Sequence, residues 1–306
     1  MLILMGLRNG ARHLEPQLAS IMACGLPGWT LRVSDDGSTD TGPEMLRDAA
    51  DALGDGPRRF CMSQGPRRGF AANYMALLAD LPEVPGPVAL ADQDDVWLPG
   101  RLAAAIRLLN RVPGRVPAFT CARRIDWDPA SGRLAPSAHL RRRPGFANAL
   151  VENVAFGNTI VMNGAAARLA RQAAPLARGI YAHDWFLYQL LTGAGALCLV
   201  EPQPVLLYRQ HEGNAIGAGR GMNAWIRRKI AVLNGLYALR IGAQISALER
   251  CRHLLLPENR AILTLFSRAR QTGTVERLLK MHQAGLRRQD LAGDIGLWGA
   301  ALLGKV

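Results

Sequence analysis

The chain has 306 residues, of which 49% are hydrophobic and 20% charged, the composition of an ordinary globular protein with a substantial core. Its five cysteines are scattered, odd in number and without a CxxC pair, which argues against a disulfide framework or a structural zinc site and favours a reducing compartment. The formal net charge of +13 is unevenly distributed, because residues 218–306 hold 15 Lys and Arg against 5 Asp and Glu, while the rest of the chain holds 22 against 19.

The chain contains no run of about 18 uncharged apolar residues, so we expect no transmembrane segment. Residues 1–7 are too short for a signal peptide and lack its charged start, and we expect the chain to begin inside its first strand. A basic carboxyl-terminal region suits nucleic acid, an anionic membrane surface or an acidic ligand. The near-neutral remainder and the lack of interleaved surface aromatics argue against nucleic acid.

Apolar runs alternate with helical patterns in the first third of the chain, in units of roughly 30 residues. This alternation predicts a parallel, doubly wound sheet, in which ligands bind beyond the carboxyl ends of the strands. We predict strands at 2–7, 31–33, 59–62 and 87–91, and helices at 11–24, 43–53 and 69–81.

Polar clusters follow three of these strands: Arg8-Asn9, Asp35-Asp36 and Asp92–Asp95. Neither GxGxxG nor a P-loop is present, so a nucleotide would bind through side chains. Asp35 or Asp36 is placed to accept hydrogen bonds from a base or ribose. The segment 34–40 is also typical of a strand-to-helix loop with a capping hydroxyl, and both interpretations can hold at once.

The stretch Ala91-Asp92-Gln93-Asp94-Asp95-Val96-Trp97 follows the fourth strand and precedes Pro99, which can begin a helix. Three carboxylates within four residues repel one another, and their hard oxygen atoms favour Mg²⁺ or Mn²⁺ over zinc. From this stretch alone, a solvated acidic turn or a helix cap is an equally good interpretation.

The middle of the chain is less regular. We predict strands at 118–125, 158–163, 196–200 and 204–208, and a helix at 164–174. The cluster Arg141-Arg142-Arg143 fits either a solvated face or a contact for phosphate. Asp184 stands at the start of an apolar helix, as a cap or as a positioned general base.

Arg209 and His211 come at the exit of the last predicted strand, where a cation and an imidazole could face a diphosphate and a metal. A structural or solvated His211 remains the alternative.

From Met222 onward the pattern is helical and basic. One apolar stripe, flanked by Arg and Lys, comprises Trp225, Ile226, Ile230, Leu233 and Tyr237; a second comprises Ile262, Leu265 and Phe266; and Trp298, Leu302 and Leu303 come near the end of the chain. These helices predict either an appendage packed on the rest of the protein or an interfacial surface that rests on anionic lipid.

These motifs together resemble family 2 inverting glycosyltransferases with the GT-A fold, and among them the bacterial dTDP-rhamnosyltransferases of polysaccharide and O-antigen synthesis. The resemblance covers residues 1–217 in order. Its motifs are Asn9-Gly10 with Leu14, Gln17-Leu18 and Ser20-Ile21; Ser34–Asp40; Gly65-Pro66 with Gly69 and Asn73; Asp92–Pro99; Gly157-Asn158-Thr159; His183-Asp184-Trp185; and Tyr208–His211 with Asn214 and Gly217. Gly6-Leu7-Arg8 departs from the family pattern, which usually has a small or aromatic residue before Asn9.

The resemblance implies a doubly wound mixed sheet flanked by helices over residues 1–217, with residues 218–306 as a basic helical appendage. It implies that Asp92 and Asp94 form an Asp-x-Asp motif, with Asp94 the direct ligand of Mg²⁺ or Mn²⁺. His211 would join them at the metal. The set implied for the nucleotide-sugar donor is Arg8, Asn9, Asp35, Asp36, Asn73, Asp92, Gln93 and Arg209.

The resemblance also makes Asp184 the general base that deprotonates an acceptor hydroxyl, giving inversion in one displacement. Asp95, Trp97, His183 and Trp185 are further candidates on the acceptor side. The expected donor is dTDP-L-rhamnose, with a UDP- or GDP-hexose as the alternative. The expected acceptor is a glycan, which a lipid carrier would place at the cytoplasmic face of the membrane.

Overall fold

The computed structural model describes residues 1–54, 58–83, 85–211 and 234–306. Its strands are β1 (Leu2–Leu7), β2 (Trp29–Asp35), β3 (Arg58–Gln64), β4 (Val88–Ala91), β5 (Val96–Trp97), β6 (Ala118–Asp128), β7 (Arg133–Pro136), β8 (Val161–Met162) and β9 (Leu197–Arg209). Its helices are α1 (Ala11–Met22), α2 (Gly42–Leu53), α3 (Phe70–Ala79), α4 (Arg101–Leu109), α5 (Phe146–Ala149), α6 (Gly164–Ala173), α7 (His183–Gly193), α8 (Leu236–Arg250), α9 (Pro257–Ala269), α10 (Thr274–Gln283) and α11 (Leu291–Leu302).

The strands form one mixed sheet in the order β3-β2-β1-β4-β8-β6-β9-β5, with β7 paired to β6. The half built from β3, β2, β1 and β4 is parallel, as the strand–helix alternation predicts. β8 is antiparallel to both β4 and β6, and β9 is parallel to β6. Hence β6 and β9 run in the same direction as β4, and their carboxyl ends lie at the same edge of the sheet.

β1 lies in the middle of the parallel half and is buried on both faces. Ile3 and Met5 belong to one buried cluster with Leu14 and Ile21 of α1, while Leu4, which points to the opposite face, is also fully buried. A strand that is apolar at consecutive positions is typical of a sheet covered on both sides by helices. This core fixes the strand ends to which the polar clusters are attached.

Two predicted elements differ from the structure. Residues 158–163 do not form one strand, because Gly157–Thr159 is a 3-10 turn in which Thr159 Oγ1 donates to the carbonyl of Phe156 (2.8 Å), and only Val161–Met162 pairs with its neighbours. The two strands predicted at 196–200 and 204–208 are a single strand, β9. Pro202 and Pro204 lie where its register with β6 shifts, which is how a strand accommodates residues that cannot donate a ladder hydrogen bond.

The chain packs into two compact units. The first comprises Met1–His139, Ala155–Pro175 and the described part of Ala196–Gly217, and it contains the whole sheet. The second comprises Leu140–Val154, Leu176–Gly195 and the described part of Ala218–Val306. The second unit therefore includes two segments from within the range 1–217, and the division at residue 217 itself lies outside the described residues.

The described part of the carboxyl-terminal region is helical, as predicted. Phe266 of the stripe predicted on α9 is buried, and Tyr237 Oη donates to the carbonyl of Val151 (2.6 Å). Trp225, Ile226, Ile230 and Leu233 lie outside the described residues, as do Asn214 and Gly217. Among the helices that the structure describes, none is long and apolar enough to cross a membrane.

Candidate functional site

Six strands end at one edge of the sheet in the first unit. β1, β2, β3, β4, β6 and β9 all run in the same direction, so the residues that follow them lie along this edge. This edge gathers the clusters that the sequence places after β1, β2, β4 and β9. We call it the carboxyl edge.

Asn9 joins the β1 and β2 ends. Its backbone has φ 49°, in the left-handed region that Asn tolerates better than most residues. The Asn9 N–H donates to Oγ of Ser38 (3.0 Å), and the Thr39 N–H donates to Oδ1 of Asn9 (2.8 Å). Asn9 therefore holds the two loops together.

Arg8 and Gln93 link the β1 end to the acidic turn. The Arg8 N–H donates to Oε1 of Gln93 (2.8 Å), and Nε2 of Gln93 donates back to the carbonyl of Arg8 (3.1 Å). The guanidinium of Arg8 remains 59% exposed, with Nη1 3.8 Å from Oδ2 of Asp36. Gln93 thus acts on its neighbour's backbone, while the Arg8 cation is accessible.

The two carboxylates at the end of β2 have different environments. Asp36 is buried and accepts from the Gly69 N–H (2.7 Å) and the Arg68 N–H (3.3 Å) at the start of α3. Asp35 is partly exposed, and its Oδ1 accepts from the Ser38 N–H (2.9 Å). Asp35 is thus the more accessible of the two candidates for a base or ribose.

Asn73 is buried under the β2 end. Its Nδ2 donates to the carbonyl of Ser34 (2.7 Å), and its Oδ1 accepts from Oγ of Ser34 (2.6 Å). Both amide atoms are therefore engaged in supporting the strand end. Direct contact of Asn73 with a donor receives no support from this geometry.

Asp92 is held at the β4 end from two sides. Tyr74 Oη donates to Oδ1 of Asp92 (3.0 Å) and also bonds the carbonyl of Ala91. Nε2 of the fully buried Gln17 donates to the carbonyl of Asp92 (2.9 Å). Burial, followed by the Asp92 charge, raises the pKa of Tyr74 well above its usual value, so the phenol stays a donor at neutral pH.

Asp94 contacts His211, which lies just beyond the end of β9 and is 117 residues away in the sequence. Oδ2 of Asp94 and Nε2 of His211 are 2.7 Å apart, and both side chains are partly exposed. Nε of Arg209 donates to the carbonyl of Asp94 (3.0 Å), and its guanidinium carbon lies 4.3 Å from the centre of the Trp127 ring. Burial lowers the pKa of Arg209, with Asp94 acting in the opposite direction.

His13 also belongs to this cluster, and the sequence motifs do not identify it. Its ring centre lies 4.9 Å from that of His211. Burial, followed by Arg209 and His211, lowers the pKa of His13, which favours the neutral imidazole. The available signal was its position in the first turn of α1, directly after the β1 end.

Asp95 is fully buried beneath this surface. Its Oδ2 accepts from Nδ2 of Asn158 (2.7 Å). Burial, followed by Asp92 and Asp94, raises the pKa of Asp95 well above its usual value. Asp95 thus supports the acidic turn from below, and the structure gives no support for its contact with an acceptor.

Trp97 and Arg101 lie next to Asp95. Trp97 is buried, and the guanidinium carbon of Arg101 lies 3.6 Å from the centre of its ring. Arg101 donates to the carbonyls of Leu90 (2.9 Å) and Asn158, and burial lowers its pKa to about 9. Trp97 therefore belongs to the packing, so the prediction that it contacts an acceptor receives no support. Arg101 was not identified from sequence, because nothing in a helical pattern marks a cation as buried.

The second unit contains the His183-Asp184-Trp185 motif, at the start of α7. Asp184 is the second residue of α7, is partly exposed, and accepts from the Trp185 N–H through Oδ1 (2.7 Å). A carboxylate in the first turn of a helix is stabilised by the helix dipole. Trp185 is buried, and its Nε1 donates to the carbonyl of Ala149 (2.7 Å). His183 is also buried, which lowers its pKa to about 4. Both flanking side chains thus fix the start of α7 rather than face solvent.

The carboxyl edge combines carboxylates, two imidazoles, the exposed guanidinium of Arg8 and the buried guanidinium of Arg209. Carboxylates bind divalent cations, and a guanidinium binds a phosphate. Within the described residues, no three His, Cys, Asp or Glu side chains converge to hold a metal by themselves.

Comparisons with known proteins give consistent matches. The family model described as "Glycosyl transferase family 2" matches residues 3–162. The dTDP-rhamnosyl transferase RfbG of Shigella flexneri is 26% identical over 241 residues, which cover 75% of this chain and 79% of that protein.

Two solved structures show the same fold. Residues 1–349 of Staphylococcus aureus TarS, in complex with UDP-GlcNAc, match with a TM-score of 0.56 and 13% identity, covering 99% of this chain and 90% of that chain. The mannosyltransferase PcManGT of Pyrobaculum calidifontis, in complex with GDP-Man and Mn²⁺, matches with a TM-score of 0.52 and 17% identity, covering 99% and 85%.

Proposed function

The chain belongs to glycosyl transferase family 2 and is a glycosyltransferase with the GT-A fold, and on this premise we propose its donor, mechanism and acceptor. It transfers L-rhamnose from dTDP-L-rhamnose to a hydroxyl of a growing bacterial surface glycan. The reaction is a metal-dependent single displacement with inversion. The observation that most supports this proposal is the meeting of Asp94 with His211 and Arg209 at the carboxyl edge.

The nucleotide lies across the ends of the parallel strands. Asp35 accepts from the base or ribose, since Asp36 is already occupied by the backbone of α3. The exposed Arg8 cation contributes on the same side. Sequence kinship with a dTDP-rhamnosyl transferase supports the rhamnose donor.

Asp94 and His211 would hold the divalent cation, with Asp92 of the same turn as the third candidate ligand. Their fit rests on the oxygen and imidazole donors, on the partial exposure of Asp94 and His211, and on the close approach of these two side chains. When bound, Mg²⁺ or Mn²⁺ supplies Lewis-acid stabilisation of the charge on the leaving diphosphate. Arg209, fixed by the carbonyl of Asp94 and by Trp127, adds a positive charge for the same diphosphate.

Asp184 is the general base. Its carboxylate takes the proton from the acceptor hydroxyl as that oxygen attacks the anomeric carbon from the face opposite the diphosphate. The hydrogen bond from the Trp185 N–H orients the carboxylate. Attack from the opposite face inverts the anomeric configuration.

The alternative donor is a UDP- or GDP-hexose used by the same mechanism. The solved structures were obtained with UDP-GlcNAc and GDP-Man, but at 13% and 17% identity they support the fold alone. The acceptor is carried on a lipid at the cytoplasmic face of the membrane, where the basic carboxyl-terminal region associates with anionic lipid.

A ligand panel tests the donor. The melting temperature of the full chain is measured with dTDP-L-rhamnose, dTDP, UDP-glucose, UDP-GlcNAc and GDP-mannose, each with Mn²⁺, Mg²⁺ or EDTA. Because stabilisation follows ligand concentration over Kd, the dTDP ligands should give the largest shift, and only with metal. A larger shift with a UDP or GDP sugar would decide for the alternative, and equal shifts in EDTA would refute the metal dependence.

A further inference from the structure

Helix α11 of the second unit is apolar on the side that it exposes. Leu297, Ala300 and Ala301 are buried, but Leu291 is 70% exposed, Ile295 64% and Leu302 55%. At 100° per residue these three exposed residues fall on one face, together with the partly exposed Trp298. Asp294 is the single charged residue of the helix. Single exposed leucines are ordinary, whereas a continuous apolar face marks an interaction surface.

The cluster Arg141-Arg142-Arg143 lies at the amino end of this helix. The N–H groups of Arg141 and Arg142 both donate to Oε1 of Gln289 (3.0 Å each), and Nη1 of Arg142 is 2.6 Å from Oδ2 of Asp294. Arg142 is thereby used as an anchor. Arg141 and Arg143, however, are exposed.

Two further basic residues flank the apolar face in the sequence, one on each side of α11. Arg287 precedes α11 and is exposed, and Lys305 follows it and is partly exposed. Leu303, the C-cap of the helix, is 60% exposed and adds an apolar side chain near Lys305. We call the set Leu291, Ile295, Trp298, Leu302, Leu303, Arg141, Arg143 and Arg287 the α11 surface.

We propose that the α11 surface docks on an anionic phospholipid membrane. The aliphatic side chains and Trp298 enter the boundary between headgroups and acyl chains, and Arg141, Arg143 and Arg287 contact lipid phosphates. The inference rests on the membrane association in the proposed function and assigns it to named residues. It does not depend on which sugar is transferred, since vesicle binding and transfer are measured separately.

A second copy of the chain fits this surface less well. In a two-fold pair with antiparallel helices, the arginines at the amino end of one α11 would face Lys305 of the other. In a pair with parallel helices, each arginine cluster would face its own copy. Both arrangements bring like charges together beside the apolar contact, whereas anionic lipid neutralises them.

Co-sedimentation of the full chain with vesicles tests the proposal. The vesicles contain phosphatidylglycerol and phosphatidylethanolamine at 1:3, or phosphatidylcholine alone. The wild type should bind the anionic vesicles but not the neutral ones. Its affinity for the anionic vesicles should fall as the salt concentration rises. The variant Arg141→Gln/Arg143→Gln should bind about 20- to 30-fold more weakly, because each cation near an anionic surface contributes on the order of fivefold. The variant Leu291→Gln/Ile295→Gln/Leu302→Gln should lose binding to the anionic vesicles.

Matched controls use residues of equal chemistry in the first unit. Arg111→Gln/Arg115→Gln removes the same charge from two exposed positions, and Leu134→Gln alters a leucine that is 57% exposed. Both controls should bind like the wild type. If the Arg111→Gln/Arg115→Gln control lost vesicle binding to the same extent, the effect would come from net charge alone, and the proposal would be overturned. The proposal would also be overturned if the wild type did not bind anionic vesicles. It would be overturned as well if analytical ultracentrifugation showed the wild type to be a dimer and the triple variant a monomer. Transfer to a soluble acceptor, measured in parallel, separates failure here from failure of the proposed function.

Discussion

Oδ2 of Asp94 and Nε2 of His211 lie 2.7 Å apart, although the residues are separated by 117 positions in the chain. The contact exists because β9 runs in the same direction as β4, so that both strands end at the carboxyl edge. Arg209 strengthens the junction by bonding the carbonyl of Asp94. These contacts bring the Asp92–Asp95 segment to the Tyr208–His211 segment. The Asp94 carboxylate lies beside the His211 imidazole, and the Arg209 guanidinium lies beside the Asp94 backbone.

Asp94→Ala should abolish metal-dependent transfer and preserve the fold. The loss in kcat/KM should be on the order of 10³-fold, because the variant removes the carboxylate proposed to hold the cation. The melting temperature should stay equal or rise slightly, since Asp94 is one of the charges that raise the pKa of the buried Asp95. Asp48→Ala, at an exposed position of α2, is the control and should retain full activity. A variant that still responds to Mn²⁺ would remove Asp94 from the metal site.

The carboxyl edge was predictable from sequence because parallel strands end at one side. The alternation of apolar runs and helices predicts the parallel half. The acidic clusters stand at the ends of β2 and β4 as expected, with Asp35 as the last residue of β2 and Asp92 directly after β4. What each polar side chain does there was not predictable. Asp35 and Asp36 are neighbours in sequence, yet one remains partly exposed and the other binds the backbone at the start of α3. The difference depends on the Arg68 and Gly69 backbone, which is 32 and 33 residues away in the sequence.

The buried polar residues were missed or misjudged for the same reason. The sequence pattern around these residues does not indicate that Arg101 is buried, that Asn73 supports Ser34, or that His13 packs beside His211. Trp97 and Trp185 were predicted on the acceptor side as members of the Asp92–Pro99 and His183-Asp184-Trp185 motifs. Both indoles are instead buried in the packing. Proximity in sequence to a motif is therefore weaker evidence for ligand contact than exposure in the fold.

Tyr74→Phe should weaken donor binding as well as stability. The substitution removes the hydrogen bond that the hydroxyl shares between the carbonyl of Ala91 and Oδ1 of Asp92, which should cost about 1–3 kcal/mol in free energy of unfolding. Because Asp92 is then less well oriented, Kd for the dTDP–metal complex should rise about fivefold. Denaturant unfolding and calorimetric titration measure the two effects.

Tyr237→Phe is the matched control for that substitution. Its hydroxyl is also buried and donates to a backbone carbonyl, that of Val151, in the second unit. It should lose comparable stability and keep the wild-type donor affinity. Equal weakening of the donor by both variants would mean that Tyr74 acts through stability alone.

His183 should make the protein less stable in mild acid. Burial lowers its pKa to about 4 from 6.5, so between these values the unfolded chain binds more protons than the folded one. The corresponding stability is fully present above pH 6.5 and is lost as the pH falls to about 4, by up to about 3 kcal/mol. His183→Gln should remove this part of the pH dependence.

Chemical denaturation of wild type and His183→Gln at pH 7.5 and 4.5 measures the difference. The variant should lose less stability than the wild type over this interval, whatever its stability at pH 7.5. His282→Leu, at an exposed position of α10, is the control and should follow the wild type. Identical losses for wild type and His183→Gln would show that the imidazole is protonated in the folded protein.

Asp184→Asn should separate donor binding from transfer. The amide oxygen can still accept from the Trp185 N–H, so the start of α7 should keep its structure, but the side chain can no longer take a proton. We expect kcat to fall by about 10²–10⁴-fold, the usual contribution of a general base, with unchanged stabilisation by dTDP and Mn²⁺. Asp290→Asn, at the N-cap of α11 in the same unit, makes the same chemical change and should remain active because Asn caps a helix as well as Asp does. Turnover by Asp184→Asn at the wild-type rate would assign the base to another residue, and loss of nucleotide stabilisation would instead place Asp184 in donor binding.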